Sequence, residues 1–290
     1  MLHDYSIHVL EYGQTVDQAV GVALYGAHNE GIKAMPYGFI ALESEHDLVL
    51  VDVGFEASGS GADMRKKFRV DPYITPAAAL ASIGRTPRDV THVIITHAHY
   101  DHMGALGSFP NAHFYLQREE LKTWHWALGL GSRFSQITAA CNPDDVAMAD
   151  LLIEQGRLTL LDGAVQELLP GISIEVAGNA HSYALQYPVI DTISAGRYIG
   201  ASDVAFSRLN LTGYNNDGVM IPLGFGVGSP TNMLLALDKV WSLAQGEIER
   251  ILIVHEPETY AGSSAWQSST GMRVAEIALR PGDTTRRPGE

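Results

Sequence analysis

Cysteine is nearly absent: Cys141 is the one thiol in 290 residues. A lone thiol excludes a framework of intramolecular disulfides and suits a reducing compartment. It reads as a small buried hydrophobe and not as a nucleophile. Long apolar runs are missing as well, since none reaches the roughly 18 residues of a membrane span. The start, Met1-Leu2-His3-Asp4-Tyr5, lacks a basic segment followed by a long apolar one, so no secretory signal is legible. The expectation is a cytoplasmic protein with no membrane partner. Positive charge is scarce: 19 Lys and Arg stand against 33 Asp and Glu, a net charge of −14. Such a chain repels phosphate backbones on average, so no nucleic-acid partner is expected. Its densest basic cluster, Arg65-Lys66-Lys67, reads as a solvated face. At 46% hydrophobic and 18% charged residues, the chain is not disordered and is long enough to bury a large core. No linker separates domains. The reading is a single domain over 1–280 and a flexible tail over 281–290.

What the chain does have is histidine in one place. The run Thr96-His97-Ala98-His99-Tyr100-Asp101-His102-Met103-Gly104 holds three histidines and an aspartate within six positions. Neutral imidazole and carboxylate suit zinc and similar first-row metals. Val93-Ile94-Ile95-Thr96 reads as a short buried strand, and Gly104-Ala105-Leu106 as the start of a helix. The candidate ligands then sit on a tight loop at a strand end, where α/β proteins build sites. A lone histidine is usually structural, and His92 and His113 read that way. Asp101 could serve only as a helix cap. The density of the cluster favours metal for His97, His99, Asp101 and His102 together.

The remaining pattern alternates strands and helices. Ile7 to Tyr12, Tyr37 to Leu42 and Leu48 to Gly54 read as strands, the last nearly all apolar and so buried on both faces. Thr75-Pro76 opens a helix that Gly84 ends, and Asn142-Pro143 opens one that Gly156 ends. The segment 118–155 is rich in helix formers and aromatics and reads as a helical insertion covering one side of the site. Leu158 to Leu161 and Ile172 to Val176 read as strands, with two more flanking a turn within Asp191 to Arg197. Ser229-Pro230 opens a helix whose Met233, Leu234, Leu237, Val240, Trp241 and Ala244 recur at helical spacing, with Gly246 at its end. The fold class is α/β, two mixed sheets packed face to face with helices outside.

The motif His97-Ala98-His99-Tyr100-Asp101-His102 resembles the HxHxDH signature of the metallo-β-lactamase superfamily. Three later positions fit that family's further ligands in order: His181, Asp203 after the apolar run Tyr198 to Ser202, and His255 after Ile251 to Val254. The resemblance implies an αββα sandwich and two divalent metals, expected to be zinc. His97, His99 and His181 would hold one metal, Asp101, His102 and His255 the other, and Asp203 would bridge them. Asp52 would support the metal loop without binding metal. Two metals about 3.5–4 Å apart share a hydroxide that attacks the substrate, and Asp101 would orient it or shuttle its proton.

Within that superfamily the chain is similar to the quorum-quenching N-acyl homoserine lactonases in size, in its full ligand set and in Tyr25-Gly26-Ala27-His28-Asn29. That similarity implies a metal-dependent hydrolase opening a lactone. Lactonases often carry tyrosine three residues after the bridging aspartate, where this chain has Phe206. The block His181-Ser182-Tyr183-Ala184-Leu185-Gln186 also departs from the usual pattern. Another donor, with His28, Tyr183 and Tyr214 as candidates, would then contact the substrate together with Phe206. The alternatives are a glyoxalase II-like thioester hydrolase, a hydrolase of another cyclic ester or amide, an iron-dependent redox relative, and a protein that keeps the fold without activity. A small-molecule substrate and a homodimeric assembly complete the expectation.

Overall fold

The structure is a computed structural model that describes residues 3–262 and 264–285. The chain runs β1 (Ser6–Ala19), α1 (Val20–Ala23), β2 (Ile32–Glu43), β3 (Leu48–Val51), α2 (Ser60–Lys67), α3 (Pro76–Ala81), β4 (His92–Ile94), α4 (Tyr100–Met103), β5 (His113–Gln117), α5 (Arg118–Leu128) and α6 (Pro143–Glu154). It continues through β6 (Leu158–Leu161), β7 (Val165–Leu169), β8 (Ile172–Gly178), β9 (Leu185–Thr192), β10 (Gly196–Gly200), α7 (Leu209–Thr212), α8 (Pro230–Leu243), β11 (Ile251–Leu252), β12 (Ala265–Gln267) and β13 (Arg273–Ala278).

These strands form two mixed sheets. The larger has the order β12-β13-β1-β2-β3-β4-β5-β6, the smaller β11-β10-β9-β8-β7. In the larger, β3 to β6 are parallel and β13 to β3 antiparallel. Apolar alternation explains the layering. On β3, Leu48 and Leu50 point into a core shared with α3, α5 and α6, while Val49 and Val51 point into a core shared with the second sheet. Ile7, Val9, Ile40 and Ile94 meet Ile172, Ile174 and Ile190 in that inter-sheet layer. Tyr187, Val189 and Ile199 of the smaller sheet turn outward onto Leu237 and Val240 of α8. Both faces of each sheet are thus covered, giving helix, sheet, sheet, helix.

Three helix starts follow the capping logic of the sequence. The side chains of Thr75, Asn142 and Ser229 accept from Ala78 N, Asp144 N and Asn232 N at 3.2, 3.3 and 3.3 Å, each ahead of a proline. One local expectation is corrected. Gly104 does not begin a helix but closes α4, which lies inside the histidine motif, and a separate 3-10 turn covers Leu106–Ser108. A Cβ on Gly104 would run into the Tyr100 carbonyl and the Phe55 side chain, so only glycine fits where α4 packs against Phe55. The insertion between β5 and β6 carries α5 and α6. At the C-terminal end, Ser6 Oγ donates to Asp283 at 2.7 Å and Thr285 Oγ1 to Glu276 at 2.9 Å. Residues 286–290 of the expected tail lie outside the described residues. Among the described residues, no helix is long and apolar enough to cross a membrane.

Candidate metal centre

Short loops at strand ends carry the chemistry-bearing residues. The loop after β4 brings His97, His99, Asp101 and His102. The segments after β8, β10 and β11 bring His181, Asp203 and His255. All seven are buried. They fall into two groups, His97, His99, His181 and Asp203, and Asp101, His102 and His255; within each, the candidate ligand atoms lie within 4.8 Å of one another.

Asp203 stands between the groups. Its Oδ2 lies 3.4 Å from His97 Nε2 and 3.0 Å from His181 Nε2. Its Oδ1 lies 3.2 Å from both His102 Nε2 and His255 Nε2. Asp101 Oδ2 sits 3.4 and 3.7 Å from the same two nitrogens. His99 faces the first group through Nδ1, 2.9 Å from His97 Nε2 and 3.1 Å from His181 Nε2. Asp203 Oδ1 and the Nε2 atoms of His102 and His255 are buried without a hydrogen-bond partner. Buried polar atoms left so are costly. Nitrogen and oxygen donors converging on two points are the donor set of a pair of borderline divalent ions, so these residues could hold two metals.

The far side of the rings is fixed. His181 Nδ1 donates to Phe225 O at 2.9 Å and His255 Nδ1 to Pro36 O at 2.8 Å, which leaves each Nε2 lone pair facing the centre. His102 Nδ1 lies 2.8 Å from Asp52 Oδ2. Asp52 also accepts from Thr96 N at 2.8 Å and Thr96 Oγ1 at 2.9 Å. Thr96 Oγ1 is in turn 3.0 Å from His97 Nδ1 and 2.7 Å from Ser202 Oγ. One buried carboxylate thus ties the first strand end of the site to the motif loop. Asp52 and Ser202 both adopt positive φ, 64° and 45°, in the left-handed region that non-glycine residues rarely adopt.

Glu120 is the functional residue that sequence reading misses. It is fully buried on α5. Its carboxylate accepts from Ala98 N at 3.0 Å, Trp124 Nε1 at 2.7 Å, Ala184 N at 2.5 Å and the Ser182 hydroxyl. The helical insertion therefore clamps the motif loop to the loop carrying His181. A lone glutamate on an amphipathic helix looks like surface charge; only Trp124 four residues on, within reach on the same face, hinted otherwise.

Electrostatics separates the histidines. Burial and the neighbouring His102 push His97 below the usual imidazole range, and burial with His97 and His181 pushes His99 well below it. Burial acts the same way on His102 and His255, but Asp203 and Asp101 more than offset it and hold both above that range. Burial likewise opposes ionisation of Asp203, yet His102, His255, His97 and His181 hold it well below the carboxylate range. Cys141 is buried and burial pushes its thiol up, so it stays protonated and away from nucleophilic work.

A cavity of about 120 Å³ opens onto the cluster, lined by His99, Asp101, His181, Asp203 and His255, by Phe206, Phe68, Phe225, Met35 and Val22, and by Gln18, Tyr37, Tyr100 and Ala140. Phe206 packs edge-on against His255 and His181, with centroids 4.8 and 5.4 Å away. The other three candidate substrate contacts do not line this cavity. His28 is exposed beside Tyr25. Tyr183 packs on Trp124 at 4.9 Å. Tyr214 is 54% exposed and borders a separate surface depression with Lys33 and Arg208. Nearness in sequence to ligands or to glycine turns did not bring these rings to the cluster.

Comparison with known proteins agrees with this geometry. Residues 38–157 match the family model described as the metallo-beta-lactamase superfamily. An N-acyl homoserine lactonase of Bacillus cereus is 22% identical over 188 residues, covering 61% of this chain and 66% of the relative, just under two thirds of its length. An N-acyl homoserine lactone hydrolase, solved with N-hexanoyl-L-homoserine at its catalytic metal centre, superposes with a TM-score of 0.67 at 19% identity, over 89% of this chain and 95% of that one. The dizinc quorum-quenching lactonase AidC superposes with a TM-score of 0.63 at 16% identity, over 94% and 90%. Residues 38–157, the segment that holds the histidine motif, thus carry the match to the metallo-beta-lactamase superfamily, and the two mixed sheets with their flanking helices share the fold of these solved lactonases.

Proposed function

We propose that this protein is a dinuclear metal-dependent hydrolase that opens a small neutral lactone, with N-acyl homoserine lactones as first candidates. The observation that carries the reading is the pairing of a bridged two-part ligand cluster with a small cavity whose lining contains no lysine or arginine. An apolar wall suits a neutral ring with an alkyl or acyl substituent. A glutathione thioester, the competing substrate class, carries carboxylates that such a wall leaves unpaired. The low-identity lactonase relatives support the same choice. The substrate is a small molecule, and the acidic chain does not need a nucleic-acid partner.

His97, His99, His181 and Asp203 would hold one metal; Asp101, His102, His255 and the other oxygen of Asp203 the second. Such a pair, zinc in this reading, supplies a hydroxide at neutral pH and polarises the substrate carbonyl. The chain's own part is orientation. Asp52, Phe225 O and Pro36 O fix the ring tautomers. Asp101, at the cavity wall, accepts and relays the proton of the attacking water. Phe206 and Phe68 exclude bulk water from the ring.

Elemental analysis of protein purified without chelator should give two metals per chain. Paired with it, a pH-drop screen should show acid released from lactones and not from glutathione thioesters or cyclic amides. A value near one metal that persists after loading removes the dinuclear reading. Rapid thioester cleavage with inert lactones removes the lactonase reading.

A further inference from the structure

Opening a lactone needs more than attack. The ring C–O bond breaks, its electron pair moves to the ring oxygen, and that oxygen ends as a hydroxyl whose proton comes from the attacking water. An alkoxide leaving in a water-poor cavity needs a hydrogen-bond donor while that proton arrives. Beyond the cluster residues, most of the cavity wall offers none: Phe206, Phe68, Phe225, Met35 and Val22 have no N–H or O–H on the side chain. Gln18 is only half-buried at the end of β1, where the sheet register shifts. The two hydroxyls in the wall belong to Tyr37 and Tyr100.

Both phenols are held by the same chain segments that hold the second ligand group. Tyr37 follows Pro36, whose carbonyl accepts from His255 Nδ1, and its ring stands edge-on to His255 with centroids 5.3 Å apart. Tyr100 lies between His99 and Asp101, its backbone N–H donates to Ala140 O at 2.8 Å, and its ring stacks on Phe68 at 4.7 Å. The Tyr100 hydroxyl is buried and faces the Tyr37 hydroxyl, but it makes no well-formed hydrogen bond, so the two phenols keep donor capacity for a group in the cavity. Tyr12 makes the contrast. It is equally buried in the same aromatic cluster, but its hydroxyl already donates to Asp101 O at 2.8 Å. A phenol keeps its proton at neutral pH and can donate throughout the reaction.

Resting on the lactonase reading above, we propose that Tyr37 and Tyr100 form a donor pair that hydrogen-bonds the ring oxygen as it leaves. The phenols retain their protons, and the hydroxy acid carries away both hydrogens of the consumed water. The pair places the donor on the β2 and motif-loop side of the centre, leaving Phe206 as an apolar wall for the substrate ring.

The test compares leaving groups within one protein sample, which removes any dependence on the folded fraction. Wild type, Tyr37→Phe, Tyr100→Phe and the double variant are loaded with zinc, checked for metal content, and assayed on matched alkyl lactones and thiolactones. A thiolate, from a thiol of pKa about 8–9, leaves without a donor. The expected result is a lactone-to-thiolactone kcat ratio that falls about tenfold or more in the double variant, with KM within about twofold. Calorimetric binding of the hydroxy acid product should weaken in parallel, while metal content stays at the wild-type value. An unchanged ratio in a wild type that does open lactones overturns the donor pair and leaves the lactonase reading standing. A wild type that opens no alkyl lactone overturns both.

Discussion

Asp203 shows how much one side chain does here. Its two oxygens face different histidine pairs at 3.0–3.4 Å, so an amide in its place offers one good acceptor where two are used. Asp203→Asn should lower kcat by about 100-fold or more and reduce bound metal from two toward one, as read by steady-state kinetics and elemental analysis of the same sample. Near-normal turnover at full metal content would break the mechanism. Glu120 acts at a distance: it accepts from two loops and touches none of the candidate ligands' metal-facing atoms. Glu120→Gln keeps the shape but puts an amide N–H₂ where a carboxylate oxygen accepts from Ala184 N or Ala98 N. We expect it to destabilise the fold by about 1–3 kcal/mol in chemical denaturation, and to raise the metal dissociation constant in a chelator competition; a shift in neither would make Glu120 a bystander. The two residues differ in legibility for a physical reason. His97 to His102 declare themselves because four candidate ligands, three imidazoles and a carboxylate, crowd six positions, and His181, Asp203 and His255 follow from the resemblance to the superfamily's ordered ligand set. Glu120 is ordinary in sequence and becomes special only because tertiary packing buries it against backbone donors from two remote loops.

At the scale of elements, the site is assembled from strand ends, and the helices set the angles. The parallel run β3, β4, β5 places Asp52, the motif loop and Gln117 along one edge, and the α5–α6 insertion closes over it. That arrangement was readable where local chemistry speaks: proline-preceded caps at Thr75, Asn142 and Ser229, and the wholly apolar β3. It was not readable where pairing is long-range. β13 joins β1 across most of the chain, and nothing within Arg273–Ala278 names its partner. α4 was hidden because its four residues lie within the histidine motif and include two of the candidate ligands, Asp101 and His102. The start of α6 carries a further strain. Asp145 accepts from Asn142 Nδ2 at 3.0 Å through Oδ1, while Oδ2 is buried without a partner. Burial pushes its carboxyl up to about 7, against the help of Asn142. A folded-state value raised above the unfolded one means stability that is full below the unfolded pKa and is lost as pH rises through about 7. Asp145→Asn should therefore raise the melting temperature at pH 8 and change it little at pH 4, with a gain of roughly 1 kcal/mol at the higher pH. Equal effects at both pH values would show that charge at this position is immaterial.

The whole molecule is two sheets that share one inter-sheet core and one cluster. His97, His99, Asp101 and His102 belong to the larger sheet's loops, and His181, Asp203 and His255 to those of the smaller. Any ion held by both sets is a staple between the sheets as well as a reagent. Its ligands lie beside the strand ends where Ile94 and Leu252 enter the shared core, so loss of the staple and loosening of the core are coupled. Without metal, Asp203 Oδ1 and the Nε2 atoms of His102 and His255 are buried donors and acceptors with nothing to bind. Binding to the folded state alone contributes about 4 kcal/mol per site at a free metal concentration 1,000 times the dissociation constant. Removal by a strong chelator at pH 7.5 should therefore lower the melting temperature by several degrees in scanning calorimetry, and two equivalents of zinc should restore it. The staple also predicts symmetry between the sheets. His99→Ala on the larger and His181→Ala on the smaller share one ligand group, so each should remove a similar part of the metal-dependent gain, with both apoproteins melting near the stripped wild type. A chelated protein that melts where the loaded one does would mean the two sheets hold together through their apolar layer alone, and that the cluster contributes chemistry without contributing stability.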